Sequence, residues 1–129
     1  MATHDQFTVE TGEGITVTDV SDRVRDSVPD GADGTCTVVS QHTTAGIVVN
    51  EAEQRLLTDL RDVLADLVPD EGRRHDDLDG NADAHVRAML LGPDATLPVV
   101  EGELDLGTWQ SVLFVDCDGP RSRTIRVVV

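Results

Sequence analysis

Residues 35–67, TCTVVSQHTTAGIVVNEAEQRLLTDLRDVLADL, decide the fold class of this chain. Thr35 to Ser40 and Ile47 to Val49 are β-branched runs, which pack well on a pleated surface and lose rotamer freedom in a helix. Between them lies the small-residue turn His42-Thr43-Thr44-Ala45-Gly46, so the first half reads as a strand, a turn and a strand. The second half changes period. Leu56, Leu57, Leu60, Val63, Leu64 and Leu67 recur at the spacing of one helical face, and Pro69 stops the pattern.

The same two periods extend in both directions. Upstream, Phe7 and Val9, then Ile15 and Val17, alternate with polar neighbours across Gly12 and Gly14, which predicts an initial hairpin. Val20, Val24 and Val28 recur every four residues until Pro29, the mark of a helix with one apolar face. Downstream, a second helix opens at Asn81, whose side chain is placed to cap the free amides of the first turn, and runs to Gly92 through Ala84, Val86, Ala88, Met89, Leu90 and Leu91. Leu97 to Val100, Leu104 to Leu106, Trp109 to Val115 and Thr124 to Val129 read as strands, with turns at Glu101-Gly102 and Asp118-Gly119-Pro120. Pro69 to Gly80 reads as an acidic loop. Three helices and about seven strands, grouped unevenly, predict a single α+β domain over residues 1–129.

Charge is the strongest compositional signal: 25 acidic residues against 10 basic ones give a net charge of −15, every basic residue is arginine, and Asp outnumbers Glu by 18 to 7. Such self-repulsion opposes compaction in dilute buffer, and molar salt removes most of it by shortening the Debye length to about 3 Å. The expectation is a salt-adapted protein from a salt-filled cytoplasm. A polyanion without a basic stripe argues against nucleic acid and anionic membranes as partners. No apolar run reaches spanning length, and the start Met1-Ala2-Thr3-His4-Asp5 lacks the basic and apolar regions of a secretion signal, so a cytoplasmic location is expected. Cys36 and Cys117 sit in apolar, strand-like surroundings and read as buried thiols, not a disulfide. With aromatics limited to Phe7, Trp109 and Phe114, the core must be aliphatic.

Chemistry-bearing residues fall into a few groups. His42 stands at a strand end, His75 in the long loop and His85 near a helix start, while His4 lies in the N-terminal tail. Three imidazoles with an open fourth position suit a zinc ion that activates water; the alternative is three separate capping or surface histidines. Glu51, Asp76, Asp105 and Asp116 stand at element ends or beside His75, where each could bind a cation or orient an imidazole, or simply be solvated. In Gly107-Thr108-Trp109-Gln110 the only Trp sits beside a hydroxyl and an amide, either lining a pocket or anchoring the core. Arg121 and Arg123 could grip a phosphate in bidentate fashion or pair with carboxylates, and Thr43 and Thr44 could add hydroxyls to the same anion or merely make a tight turn.

Read in order, Gln41-His42-Thr43-Thr44-Ala45, Asn50-Glu51, His75-Asp76, Asn81, His85, Leu91-Gly92, Gly107-Thr108-Trp109-Gln110 and Gly119 with Arg121 and Arg123 resemble the YjbQ-like family over nearly the whole chain. The resemblance implies a homotrimer with sheets packed around the threefold axis and a pocket where the three histidines meet. It also implies secondary thiamine-phosphate synthase activity, in which hydroxymethylpyrimidine diphosphate joins thiazole phosphate with loss of pyrophosphate. On that reading His42, His75 and His85 hold a divalent metal, zinc foremost, with magnesium the alternative beside a diphosphate substrate. Glu51, Asp76, Arg121 and Arg123 then take part in catalysis, and Thr43, Thr44, Asn50, Thr108, Trp109 and Gln110 contact the phosphorylated metabolite. The same residues would serve metal-assisted hydrolysis of a phosphorylated metabolite, or a trimeric protein that binds metal or ligand without transforming it.

Overall fold

Alternate residues of one strand, Ser111–Gly119, belong to two different cores, and this sets the architecture. The computed structural model describes residues 2–129 and contains, in chain order, β1 (His4–Glu10), β2 (Gly14–Asp19), α1 (Ser21–Asp26), β3 (Gly34–Ser40), β4 (Ala45–Asn50), α2 (Gln54–Leu67), a 3-10 turn (Arg74–Asp77), α3 (Ala82–Leu91), β5 (Asp94–Val100), β6 (Glu103–Leu104), β7 (Ser111–Gly119) and β8 (Ser122–Val128). On β7, Val112 and Phe114 face the larger core, while Val115 and Cys117 face the smaller one beneath the helices. A strand buried on both faces reads as a continuous apolar run, as this one does.

The strands form a five-stranded sheet in the order β1-β8-β3-β5-β6 and a three-stranded sheet in the order β2-β7-β4, every pairing antiparallel. The larger core lies between the sheets, where Phe7, Val38, Leu97, Ile125 and Val127 of the first meet Ile47, Val112 and Phe114 of the second. α2 and α3 pack on β2, β4 and β7, while Val24 of α1 joins the larger core, so the layers run sheet, sheet, helices within one α+β domain.

Several local expectations are corrected by the pairing. The initial hairpin does not form: β1 pairs with β8 and β2 with β7, in different sheets. Period-two alternation identifies a face but carries no information about the partner strand. The strand-turn-strand of residues 35–49 is present, yet its turn crosses from one sheet to the other. The Asn81 side chain does not cap α3; its Nδ2 donates to Asp118 Oδ2 at 3.0 Å, and the Ala82 amide donates instead to Asp76 Oδ1 at 3.1 Å. Trp109 lies outside β7 and is 73% exposed, so it anchors no core. The acidic loop contains the 3-10 turn that carries His75, and Cys36 and Cys117 are buried free thiols. No helix among the described residues is long and apolar enough to cross a membrane.

The five-stranded sheet turns its second face to solvent, and that face is almost free of charge. Its register places Thr8, Thr35, Thr37, Val39, Thr96, Pro98, Thr124 and Val128 together, with Arg126 the one charge among them. The acids Glu10, Asp94 and Glu103 stand only at its margins. In a chain with 25 acidic residues, an exposed sheet face this neutral is a departure from the rest of the surface.

Candidate functional site

The turn from β3 to β4 must step between sheets, and three hydrogen bonds fix it. Thr124 N donates to His42 Nε2 at 3.1 Å, the Arg123 guanidinium donates to Thr44 Oγ1 at 2.7 Å, and Cys117 N donates to Thr44 O at 3.0 Å. Arg123 in turn donates to Asp116 Oδ1 at 2.7 Å, and the Thr11 hydroxyl donates to the other oxygen of Asp116. Asp116 and Arg123 are both buried, facing each other between the sheets. Burial pushes the Asp116 carboxyl up, but hydrogen bonds from Arg123, Thr11 and the Asp118 amide, with the Arg123 charge, outweigh it and hold the group below its ordinary value.

His85 reaches the same region from α3. The approach depends on Gly46, whose backbone lies so close to the end of α3 that an added Cβ would stand 2.7 Å from Gly92 O and from Leu91 Cβ. Ile47 N donates to Gly92 O at 3.1 Å across that contact. His75 is brought in by Asp76: one of its oxygens accepts from Arg73 N at 3.0 Å and the other from Ala82 N, tying the 3-10 turn to the start of α3. Those two amides, with His75 and Arg73 nearby, hold the Asp76 carboxyl below its ordinary range against a smaller opposing effect of burial.

The His75 and His85 rings meet edge to face, with centroids 4.8 Å apart and planes at 84°. The Nε2 of His75 is buried without a hydrogen bond; Asp79 Oδ2 lies 3.5 Å away but does not make one. His85 is shared between two open recesses. One, of about 390 Å³, is lined by His42, Thr43, Ala45, His85, Met89 and Pro93 among others, and the second, of about 250 Å³, by His75, His85, Ala82 and Val86. His85 therefore borders both recesses, with His42 in one and His75 in the other. Among the described residues no three His, Cys, Asp or Glu side chains gather closely enough to hold one metal ion. The expected three-imidazole shell is not formed within one chain, because His42 spends its Nε2 on Thr124 and opens to a different recess from His75.

The other expected site residues divide between the two ends of β7. Thr43 lines the histidine recess, whereas Thr44 is buried against Arg123. Neither arginine offers a free clamp: Arg123 is enclosed by Asp116 and Thr44, and Arg121 donates to the backbone oxygen and carboxylate of Asp118. Asn50 pairs with Ser111 at the opposite end of β7, followed directly by Glu51, and there it borders a small apolar cleft under α2 with Val48, Leu60 and Leu64. Thr108, Trp109 and Gln110 form an exposed turn at that same end, with the Gly107 amide donating to Gln110 Oε1 at 2.8 Å. Glu51 and the Thr108–Gln110 turn line neither histidine recess. Sequence reasoning missed the apolar wall of the recess, Ala45, Met89 and Pro93, which no residue-type signal marks as a site. It also missed the Asp116–Arg123 brace, although Asp116 shares the parity of Val112 and Phe114 and so had to face inward.

The fold and the site define a sheet-sheet-helix protein of the α+β class with two surface recesses that share one imidazole. Comparison with known proteins makes this specific. Residues 5–129 match the model of the family described as UPF0047 protein YjbQ-like, and the chain belongs to that family. A UPF0047 protein of Archaeoglobus fulgidus is 44% identical over 125 residues, covering 96% of this chain and 97% of its own. Another, from Methanothermobacter thermautotrophicus, is 50% identical over 97 residues, 74% of this chain and 68% of its own. Among solved structures, a hypothetical protein of Aeropyrum pernix superposes with a TM-score of 0.92 at 41% identity, covering 97% of this chain and 96% of that one. A YbjQ-like protein of unknown function from Sulfolobus solfataricus gives 0.91 at 34% identity, over 99% and 96%.

Proposed function

We propose that the chain is a metal-dependent enzyme of the cytoplasm acting on a small phosphorylated metabolite, on the pattern of secondary thiamine-phosphate synthase: hydroxymethylpyrimidine diphosphate joined to thiazole phosphate with release of pyrophosphate. The observation that carries this reading is the His75–His85 pair, with a buried, unpartnered Nε2 on His75. Leaving a buried polar atom unsatisfied costs about 1–3 kcal/mol, and such groups gather where a ligand completes them. Adjacent imidazoles are donors that suit zinc, so the fit is to a pair: His75 and His85 would hold the ion, with His42 across the recess that His85 also lines. When bound, the ion would supply positive charge against the departing diphosphate. Asp76 keeps the pair in place through the two amides it accepts from, and Thr43 offers a hydroxyl at the recess. Arg123 braces the His42 turn from beneath.

The active form in this reading is a homotrimer that buries the neutral face of the five-stranded sheet, the part of the surface where copies meet with least repulsion. The test is metal analysis of tag-free protein purified in molar potassium chloride, for wild type, H75A and H85A, followed by an assay of pyrophosphate release from the two substrates. Wild type should retain close to one zinc per chain and each variant almost none. Wild type with only trace metal and no pyrophosphate release would sink the reading, and light scattering that gives a single 13.9 kDa chain would sink the trimer.

A further inference from the structure

We propose that the histidine recess is completed by a second copy of this chain, whose Thr108-Trp109-Gln110 turn closes over it. The inference deepens the reading above and rests on it, but its test requires neither bound metal nor turnover.

The fold keeps Trp109 away from the recess of its own chain. Ala45, in the recess wall, pairs with Asp116, whereas Asn50 pairs with Ser111 beside the Trp109 turn. Five residues of antiparallel strand separate the two positions, about 17 Å at some 3.4 Å per residue. Recess and turn occupy opposite ends of β7.

Each of the two surfaces lacks what the other offers. The recess is open, and Met89 in its wall is 74% exposed, while Trp109 projects with 73% of its surface in water. An indole is a large apolar plate that gains from a thioether and from the edge of an imidazole, both present in the recess. No carboxylate lines the recess, where Thr43, Ala45, Met89 and Pro93 accompany His42 and His85, and the residues that directly flank the indole, Gly107, Thr108, Gln110 and Ser111, are uncharged, with the acid Glu51 at that end of β7. In a chain of net charge −15, copies meet with least repulsion at neutral patches of this kind.

Symmetry sets the form of the contact. A recess on one copy and a turn on the next are different surfaces, which meet either reciprocally across a twofold axis or head to tail around a ring, and the ring is the form taken by the trimer of the reading above. The neutral sheet face lies between them, running from Thr124, whose amide holds His42, toward Val100, which pairs with Glu103 at the β6 end. A ring closed through that face brings one rim of each copy to the other rim of its neighbour.

The contact is tested by crosslinking in molar potassium chloride. M89C and W109C are unfolded together, refolded as an equimolar mixture and treated with a short bismaleimide, which should give a covalent dimer joining the two kinds of chain. Crosslinking no greater than in either variant alone overturns the proposal, the native cysteines being buried. Should either variant fail to refold, the wild-type protein gives a second measurement, because Trp109 is the only tryptophan. Its emission should move to longer wavelength when the assembly is diluted to separate protomers, and an emission maximum that does not move overturns the proposal equally. A contact formed in protein that binds no metal would leave this inference standing and remove the metal reading; metal binding and turnover without the contact would do the reverse.

Discussion

Near Asp116, β7 carries a fully buried carboxylate that accepts from Arg123, Thr11 and the Asp118 amide, whereas just before its first residue Trp109 stands in solvent on a turn braced by a single side-chain hydrogen bond. Geometry is fixed most tightly where charge is buried. A buried ion pair is stable only with nearly every lone pair and proton satisfied, so it holds the His42-Thr43-Thr44 turn in one geometry. An exposed turn has no such demand and can adapt to what it meets. One end of the strand is held in a single geometry, and the other projects into solvent.

Breaking the fixed end should have the largest effect. D116A leaves the Arg123 charge buried without its partner and should cost about 3–5 kcal/mol of stability, measured by denaturant unfolding in molar salt. A loss below about 1 kcal/mol would show the network to be dispensable. The same pair sets an acid limb. Because the folded state holds the Asp116 carboxyl below its ordinary value, its contribution is fully present above the ordinary carboxylate range and is lost as pH falls through the lowered value. Acid unfolding of D116N should therefore be shallower than that of wild type across that window, and parallel curves would assign the acid limb to other carboxylates. On the proposed metal reading, D76A, at the neighbouring brace, should weaken zinc retention by about ten- to a hundredfold, as loss of a group that orients metal ligands does, with the fold preserved by circular dichroism. Unchanged retention would free the imidazole pair from its dependence on Asp76. The smallest effect belongs to the projecting end: W109A should change the stability of the separated protomer by no more than about 0.5 kcal/mol, and a larger loss would mean that the indole packs within its own chain.

Much of the fold was legible because it is written in local periods. The stripe from Leu56 to Leu67 and the run from Asn81 to Gly92 give α2 and α3 within a residue or two, and the apolar run after Trp109 gives β7. What could not be read is which strand lies beside which. Phe7 and Val9 alternate as an edge strand should, but their partner Ile125 or Arg123 is more than a hundred residues away. The site was legible as a set of residue types and not as a place. His75 and His85 do meet, because a ten-residue excursion returns through one 3-10 turn tied by Asp76. Asn50 and Trp109 stand apart from them because β7 runs straight between the two groups, and a motif read along the chain does not show the length of the strand inside it.

The neutral sheet face has one further consequence, for the protein as a particle in solution. A body of net charge −15 with its charge missing from one broad side is a patchy colloid, repulsive over most orientations and nearly indifferent over one. Its osmotic second virial coefficient should be strongly positive in dilute buffer and fall steeply as added salt shortens the range of the repulsive part. The charged flanks then act as a gate on encounter, admitting copies only in the orientation that presents the bare side.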